Sequence, residues 1–256
     1  MFHKPKNLSF FILLIVLLTG NQICYSSDLK NLQNKLEAIS KNFKGKIGIS
    51  LHHLKKGDRL ALLGDEKFPT GSTIKVAMLC AAMEKIEKGE LNYYQKFTLT
   101  ADDVGGGTGF LKNYQIGKQI TLKELLHQMI TVSDNTATRM VLKAIGSDKE
   151  INDWLSKNNL KNTRINVPYP VMEDVLKDET AKGKLLEQYN QWGLGVSTPN
   201  EMRLLMEMIA VGTAGTPAGC DEMRRILNHQ YFDDGIAGQI PPSIVVASKS
   251  GVEKRS

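Results

Sequence analysis

Cysteine is scarce in this 256-residue sequence, three in all, and the five histidines are scattered. Neither His-Glu-x-x-His nor Cys-x-x-Cys occurs, so no recognisable metal-ligand set is present and no cofactor is implied. The glycine-rich stretch Val104-Gly105-Gly106-Gly107-Thr108-Gly109-Phe110 has no Gly-Lys-Ser/Thr and no dinucleotide-binding spacing. It is therefore read as a plain flexible loop and not as a phosphate cradle. No basic run is interleaved with aromatic residues, and the formal charge of +6 comes with 27 acidic residues. That balance describes a mildly basic solvated surface, and no nucleic-acid partner is expected.

One long apolar run is present, Phe10 to Leu18, preceded by Lys4 and Lys6 and followed by Cys24-Tyr25-Ser26. A basic start, an apolar core too short for a comfortable span and a small-x-small site describe a signal peptide, residues 1–26. Ile23 before Cys24 does not suit a lipoprotein site. The expected mature chain, 27–256, is periplasmic or secreted, without a stable membrane anchor and monomeric. Its remaining cysteines, Cys80 and Cys220, fall in a compartment that permits disulfides, but Cys80 sits in an apolar helical stretch where a buried free thiol is the default.

The periodicity then orders the chain. Leu29, Leu32, Leu36, Ile39 and Phe43 form one helical stripe over 28–43, expected to pack on the domain. Ile47, Ile49 and Leu51 alternate, Lys55-Lys56-Gly57-Asp58 turns, and Arg59 to Leu63 is extended, which predicts a hairpin. An apolar helix over 73–88 stops at Gly89. Thr121 with Glu124 is a capping box opening a helix that runs into Ser133-Asp134-Asn135, a tripeptide suited to capping the next helix, Thr136 to Ile145. Ser147 with Glu150 opens another helix. Residues 158–197 are irregular, with a short helix between Glu179 and Tyr189. Thr198-Pro199-Asn200-Glu201 restarts a helix, a further one lies around Asp221 to Asn228, and Ile244 to Ala247 reads as a strand.

Ser72 and Lys75 stand one helical turn apart at a helix start, within Pro69-Thr70-Gly71-Ser72-Thr73-Ile74-Lys75-Val76. An amine on the same face takes up the hydroxyl proton, and the free N–H groups of the helix start favour the alkoxide. Alone the spacing is weak, since Ser27-Asp28-Leu29-Lys30 repeats it.

Taken in order, Ser72-x-x-Lys75, Ser133-Asp134-Asn135 and Lys249-Ser250-Gly251 resemble the signature of class A β-lactamases and penicillin-binding proteins, in which Lys-Thr-Gly is the third element. The resemblance covers residues 28–252. It implies an α/β, β-lactamase/transpeptidase-like fold of two lobes, an antiparallel sheet flanked by helices and an all-helical lobe. It also implies Ser72 as acylated nucleophile, Lys75 as its proton partner and Ser133 as relay to the leaving nitrogen. Asn135 would hold the substrate's side-chain amide, and Lys249 and Ser250 its carboxylate. The N–H groups of Ser72 and Val252 would form the oxyanion hole. Lys249 near Lys75 would depress its pKa.

Two departures stand out. The family's loop carries a deacylating acid in a Glu-x-x-Leu-Asn pattern; counting from Thr163-Arg164-Ile165, that position is Tyr169, and the nearest match, Glu173-Asp174-Val175-Leu176-Lys177, is displaced. Glu173 is the candidate base, with a surface carboxylate as the plain reading. The family also places two strands and a helix after its third motif, and none follows here, so a C-terminally shortened domain is expected. The partner is accordingly a small-molecule β-lactam or a cell-wall peptide. The chain reads as an exported β-lactamase-type serine hydrolase, with a slowly deacylating penicillin-binding or D-Ala-D-Ala peptidase-like protein, or a truncated non-catalytic remnant, as alternatives.

Overall fold

The computed structural model describes residues 27–166, 183, 187, 188 and 190–252. The signal-peptide stretch, Tyr169, Glu173 and most of the helix expected between Glu179 and Tyr189 lie outside them.

Helix α1 (Ser27–Asn42) carries the predicted stripe, but only Leu29 is buried; Ile39 and Phe43 are 60% and 54% exposed. The helix lies over one strand of the hairpin, and most of its stripe stays half-buried or exposed, which corrects the expectation of a packed stripe. The hairpin is β1 (Ile49–His53) with β2 (Asp58–Leu62), antiparallel from Ile49 opposite Leu62 to His53 opposite Asp58. Gly57, at φ +74°, supplies the left-handed turn residue.

A second, three-stranded sheet sets the site. Strand β3 (Phe68–Pro69) pairs with β7 (Gly195–Ser197), which pairs with β6 (Arg164–Ile165). The Thr70 N–H extends the ladder to the Gly195 carbonyl at 2.9 Å, so the chain enters the nucleophile turn from a fixed strand end. A small hairpin of β4 (Lys96–Thr98) and β5 (Gln119–Thr121) leads into the helical lobe.

That lobe is built round α2 (Lys75–Glu87), in which every residue from Lys75 to Met83 is buried. A helix apolar on all sides has to lie inside a bundle. Its neighbours are α3 (Leu122–Thr131), α4 (Asn135–Ile145), α5 (Asp148–Lys157) and α7 (Pro217–Leu227), with α6 (Pro199–Ala210) between this lobe and the hairpin. Their buried Leu, Ile and Met side chains join in one continuous core with Met78, Leu125, Met129, Leu142 and Met223 inside it. Each such side chain contributes roughly 1.5–3 kcal/mol on burial.

The predicted caps hold, with one change of role. Thr121 and Glu124 close a reciprocal capping box, and the Asp134, Ser147 and Thr198 side chains cap α4, α5 and α6. The helix expected around Asp221 to Asn228 starts earlier, at Pro217, under a Thr216 cap that the sequence reading did not name. The Glu201 carboxylate, however, accepts from the Asn162 N–H at 2.9 Å and the Thr163 hydroxyl at 2.6 Å, tying β6 to α6. Cys80 and Cys220 are both buried and free. Among the described residues no helix is long and apolar enough to cross a membrane.

The predicted strand at Ile244–Ala247 is not formed: residues 244–252 belong to no sheet. A strand exists by pairing, and no described strand runs beside this segment; its Ser248 N–H goes instead to the Leu227 carbonyl at the end of α7.

Candidate active site

Ser72 lies in a 3-10 turn, Gly71–Ile74, and α2 begins at Lys75. The expected α-helical start is thus a tighter one. With three residues per turn, positions i and i+3 eclipse, and so Ser72 and Lys75 stack more directly than an α-turn would allow. Gly71 makes the entry possible at φ +49°.

Lys75 is fully buried. Its Nζ donates to the Ser133 carbonyl at 2.8 Å, the Ser133 hydroxyl at 3.1 Å and Asn135 Oδ1 at 2.9 Å. One amine therefore gathers both of the expected helical-lobe residues, Ser133 and Asn135. Burial, and then the positive charge of Lys249, push its pKa down to about 7, against an opposing pull from Asp134. Lys249, whose Nζ donates to the Ser250 carbonyl at 2.7 Å, is lowered to about 8 by its own burial. Two lysines poised near neutrality give the site a base at pH 7 and an attraction for anions at once.

Ser133 has the left-handed φ of +56°, uncommon for a residue with a side chain. The turn between α3 and α4 is held in that shape from several sides. Thr108 Oγ1 donates to the Ser133 carbonyl at 2.7 Å. Asp134, almost fully buried, accepts from the N–H groups of Phe110 at 2.6 Å, Leu111 at 2.9 Å and Ala137 at 2.8 Å. Asn135 Nδ2 donates to the Gly106 carbonyl at 2.8 Å. The glycine-rich loop is therefore a fastened wall of the site and not the free loop the sequence suggested. A Cβ on Gly109, at φ +105°, would lie 2.2 Å from the Asp134 carboxyl carbon, and one on Gly107 2.7 Å from Asn135 Nδ2. The glycines let backbone and side chains of the tripeptide approach. The sequence held that signal in its glycine count, but composition alone does not say what the backbone approaches.

Residues 249–252 reach the nucleophile turn without forming a strand. A Cβ on Gly251 would lie 2.6 Å from the Thr70 carbonyl oxygen and 2.9 Å from the Thr73 nitrogen, while the Val252 main chain passes Gly71, with its oxygen 2.9 Å and its nitrogen 3.0 Å from where a Cβ there would be. Of the expected site, Ser72, Lys75, Ser133, Asn135, Lys249, Ser250 and Val252 are brought round one turn. Glu173 lies outside the described residues. Thr108 and Gly106 are structural members that the motif reading did not single out, and Asp134 and Gly251 stood in the motifs without a role of their own.

Comparisons with known proteins bear on the chain as a whole. The chain is 25% identical to β-lactamase VEB-1 of Pseudomonas aeruginosa, over 94% of this chain and 78% of that protein. It is 24% identical to β-lactamase CARB-3 of the same organism, over 95% and 80%. Among solved structures, PBP-A superposes with a TM-score of 0.75 at 26% identity, over 87% of this chain and 77% of that one. An ancestral class A β-lactamase gives 0.73 at 23% identity, over 86% and 80%, which supports the two-lobed fold. A family model described as the β-lactamase enzyme family matches residues 31–255, nearly the whole chain. With the sequence matched over that length and the three motifs gathered round one buried lysine, the chain belongs to the β-lactamase enzyme family.

Proposed function

We propose that this chain is an exported serine hydrolase that opens β-lactam amides through an acyl-enzyme on Ser72. The observation that carries the reading is Lys75: buried, near neutrality, and 3.1 Å from the Ser133 hydroxyl. In its neutral form Lys75 takes the Ser72 hydroxyl proton as Oγ attacks the lactam carbonyl. The N–H groups of Ser72 and Val252 stabilise the oxyanion. The proton passes through Ser133 to the ring nitrogen as the C–N bond breaks, and water then releases the ester. Lys249 and Ser250 bind the substrate carboxylate, and Asn135 its side-chain amide. That VEB-1 and CARB-3 are β-lactamases supports the substrate class.

A second reading has its own observation. Tyr169 stands where the resemblance expects the deacylating acid, and Glu173 is displaced from it. PBP-A, similar in structure, is described in one mutant as an acyl-enzyme complex with penicillin G. On this reading Ser72 acylates and releases slowly, as in a penicillin-binding or D-Ala-D-Ala peptidase-like protein.

An intact-mass time course of the 27–256 chain with a penicillin tests both, with circular dichroism for folding and Ser72→Ala as control. An adduct confined to wild type supports the nucleophile; turnover within seconds favours the lactamase, and an adduct lasting hours the penicillin-binding reading. A folded chain without adduct refutes both and leaves a non-catalytic remnant.

A further inference from the structure

Two of the histidines that are far apart in the sequence meet in space. His127, on α3, and His229, two residues past the end of α7, face each other with ring centroids 5.7 Å apart and ring planes at 50°. The acylation chemistry uses neither. His229 Nδ1 lies 2.6 Å from the Arg225 carbonyl oxygen; a carbonyl only accepts, so Nδ1 carries the proton and Nε2 keeps its lone pair. A ring fixed by one nitrogen in this way is oriented to ligate with the other. Among the described residues neither ring nitrogen of His127 is engaged in a hydrogen bond. Two further bonds set the pair in place before anything binds. The Tyr231 N–H donates to the Thr131 carbonyl at 2.9 Å and Gln230 Nε2 to the Ile130 carbonyl at 3.0 Å, joining the turn after α7 to the end of α3. His127 is half-buried and His229 exposed, so a solute can reach the gap between them.

We propose that His127 and His229 form a site for one divalent late first-row metal ion, Zn²⁺, Ni²⁺ or Cu²⁺, held by the two imidazoles. The spacing fits. Zinc sits about 2.0–2.1 Å from an imidazole nitrogen and so about 3.2 Å from the ring centroid; a tetrahedral angle at the ion then sets two centroids about 5.2 Å apart. The observed 5.7 Å needs a closure of about half an ångström, which a small rotation of the exposed His229 side chain supplies. Mg²⁺ and Ca²⁺ take oxygen ligands and do not suit an all-imidazole pair. Among the described residues no third His, Cys, Asp or Glu joins the two, so water completes the coordination. The neighbouring guanidinium of Arg225 is answered by the Glu222 carboxylate through two bonds of 2.7 Å, and Lys123 is turned over the Tyr93 and Tyr94 rings. With half the ligands of a closed structural zinc site, binding is weaker than there, with a Kd on the order of 10–100 μM. The ion clamps α3, which runs into Ser133, to the turn after α7.

Titration calorimetry of the untagged, chelator-treated 27–256 chain with zinc chloride tests this, with folding checked by circular dichroism. One site is expected, weakened tenfold or more in His127→Gln and in His229→Gln and unchanged in His53→Gln, which removes an exposed histidine of the hairpin. His229→Gln alters an exposed side chain and keeps the test decisive should His127→Gln fail to fold. Zinc at about 1 mM should raise the Tm of wild type by about 3–10 °C and leave that of His229→Gln within about 1 °C. With Cu²⁺ as probe, electron paramagnetic resonance should count two nitrogen ligands in wild type and one in either variant. No binding up to about 1 mM zinc overturns the proposal, as does binding that both variants leave intact. Binding lost only in His53→Gln puts the ion on the hairpin and overturns it equally.

Discussion

Removing the charge of Lys249 should move the pH profile of acylation without abolishing the base. Lys249 is the second cause of the low Lys75 pKa, after burial. At an effective dielectric of about 20, a repulsion of about 1.4 kcal/mol corresponds to like charges on the order of 12 Å apart. At 1.36 kcal/mol per unit, relieving that repulsion raises the Lys75 pKa by roughly one unit or slightly more. The sign follows: the neutral amine is the base, so the limb on which activity rises with pH moves from near 7 toward 8 in Lys249→Met. At pH 7 the neutral fraction falls from about one half to about one tenth, a further loss of roughly fivefold that vanishes above pH 9. Loss of the carboxylate contact lowers the profile mainly below about pH 8, where wild-type Lys249 is itself charged, so the readout is the position of the limb and not its height. Lys249→Arg keeps the charge and should keep the limb near 7. The assay is the second-order rate of Ser72 acylation by a chromogenic β-lactam from pH 5.5 to 9.5. A Lys249→Met profile with its limb unmoved would refute the electrostatic coupling.

The buried amine has a counterpart in stability. Its folded-state pKa of about 7 lies below the unfolded value of 10.5, so unfolding takes up a proton and stability rises with pH across that window. Wild type should gain about 3 kcal/mol between pH 6.5 and 9.5 relative to Lys75→Met, read from urea midpoints at the two pH values. Gly251→Ala brings a Cβ to 2.6 Å from the Thr70 carbonyl and should push residues 249–252 off the nucleophile turn. Acylation then falls at least tenfold with Tm changed by no more than about 2 °C, because that segment belongs to no sheet. Gly109→Ala does the reverse: strain at φ +105° and collision with Asp134 should cost about 2–4 kcal/mol, seen as a fall in Tm as well as in rate.

The helical lobe was legible because its signals are local. Caps at Thr121, Asp134, Ser147 and Thr198 sit where side-chain chemistry requires them, and the apolar stripe of α3 is buried as its period demands. The three motifs were legible for another reason, since their chemistry restricts residue type and order together. What stayed hidden depends on partners far along the chain. Ile244–Ala247 has the composition of a strand, but a strand needs a neighbour, and none of the described strands provides one. Glu201 has the spacing of a capping-box acid, yet Thr163 and Asn162 compete for its carboxylate from across β6. The glycine-rich loop showed freedom of backbone without showing that Asn135, Asp134 and Thr108 spend that freedom on a fixed wall.

The left-handed backbone of Ser133 has a consequence for the sequence itself. Glycine or asparagine suits that conformation better, and replacing a strained residue there typically returns about 1 kcal/mol. A search that ranked variants by thermal tolerance alone would therefore drift toward Ser133→Gly and erase the hydroxyl that Lys75 holds 3.1 Å away. Retention of serine at this one position in laboratory drift would then report selection for chemistry, while its loss would report selection for folding alone.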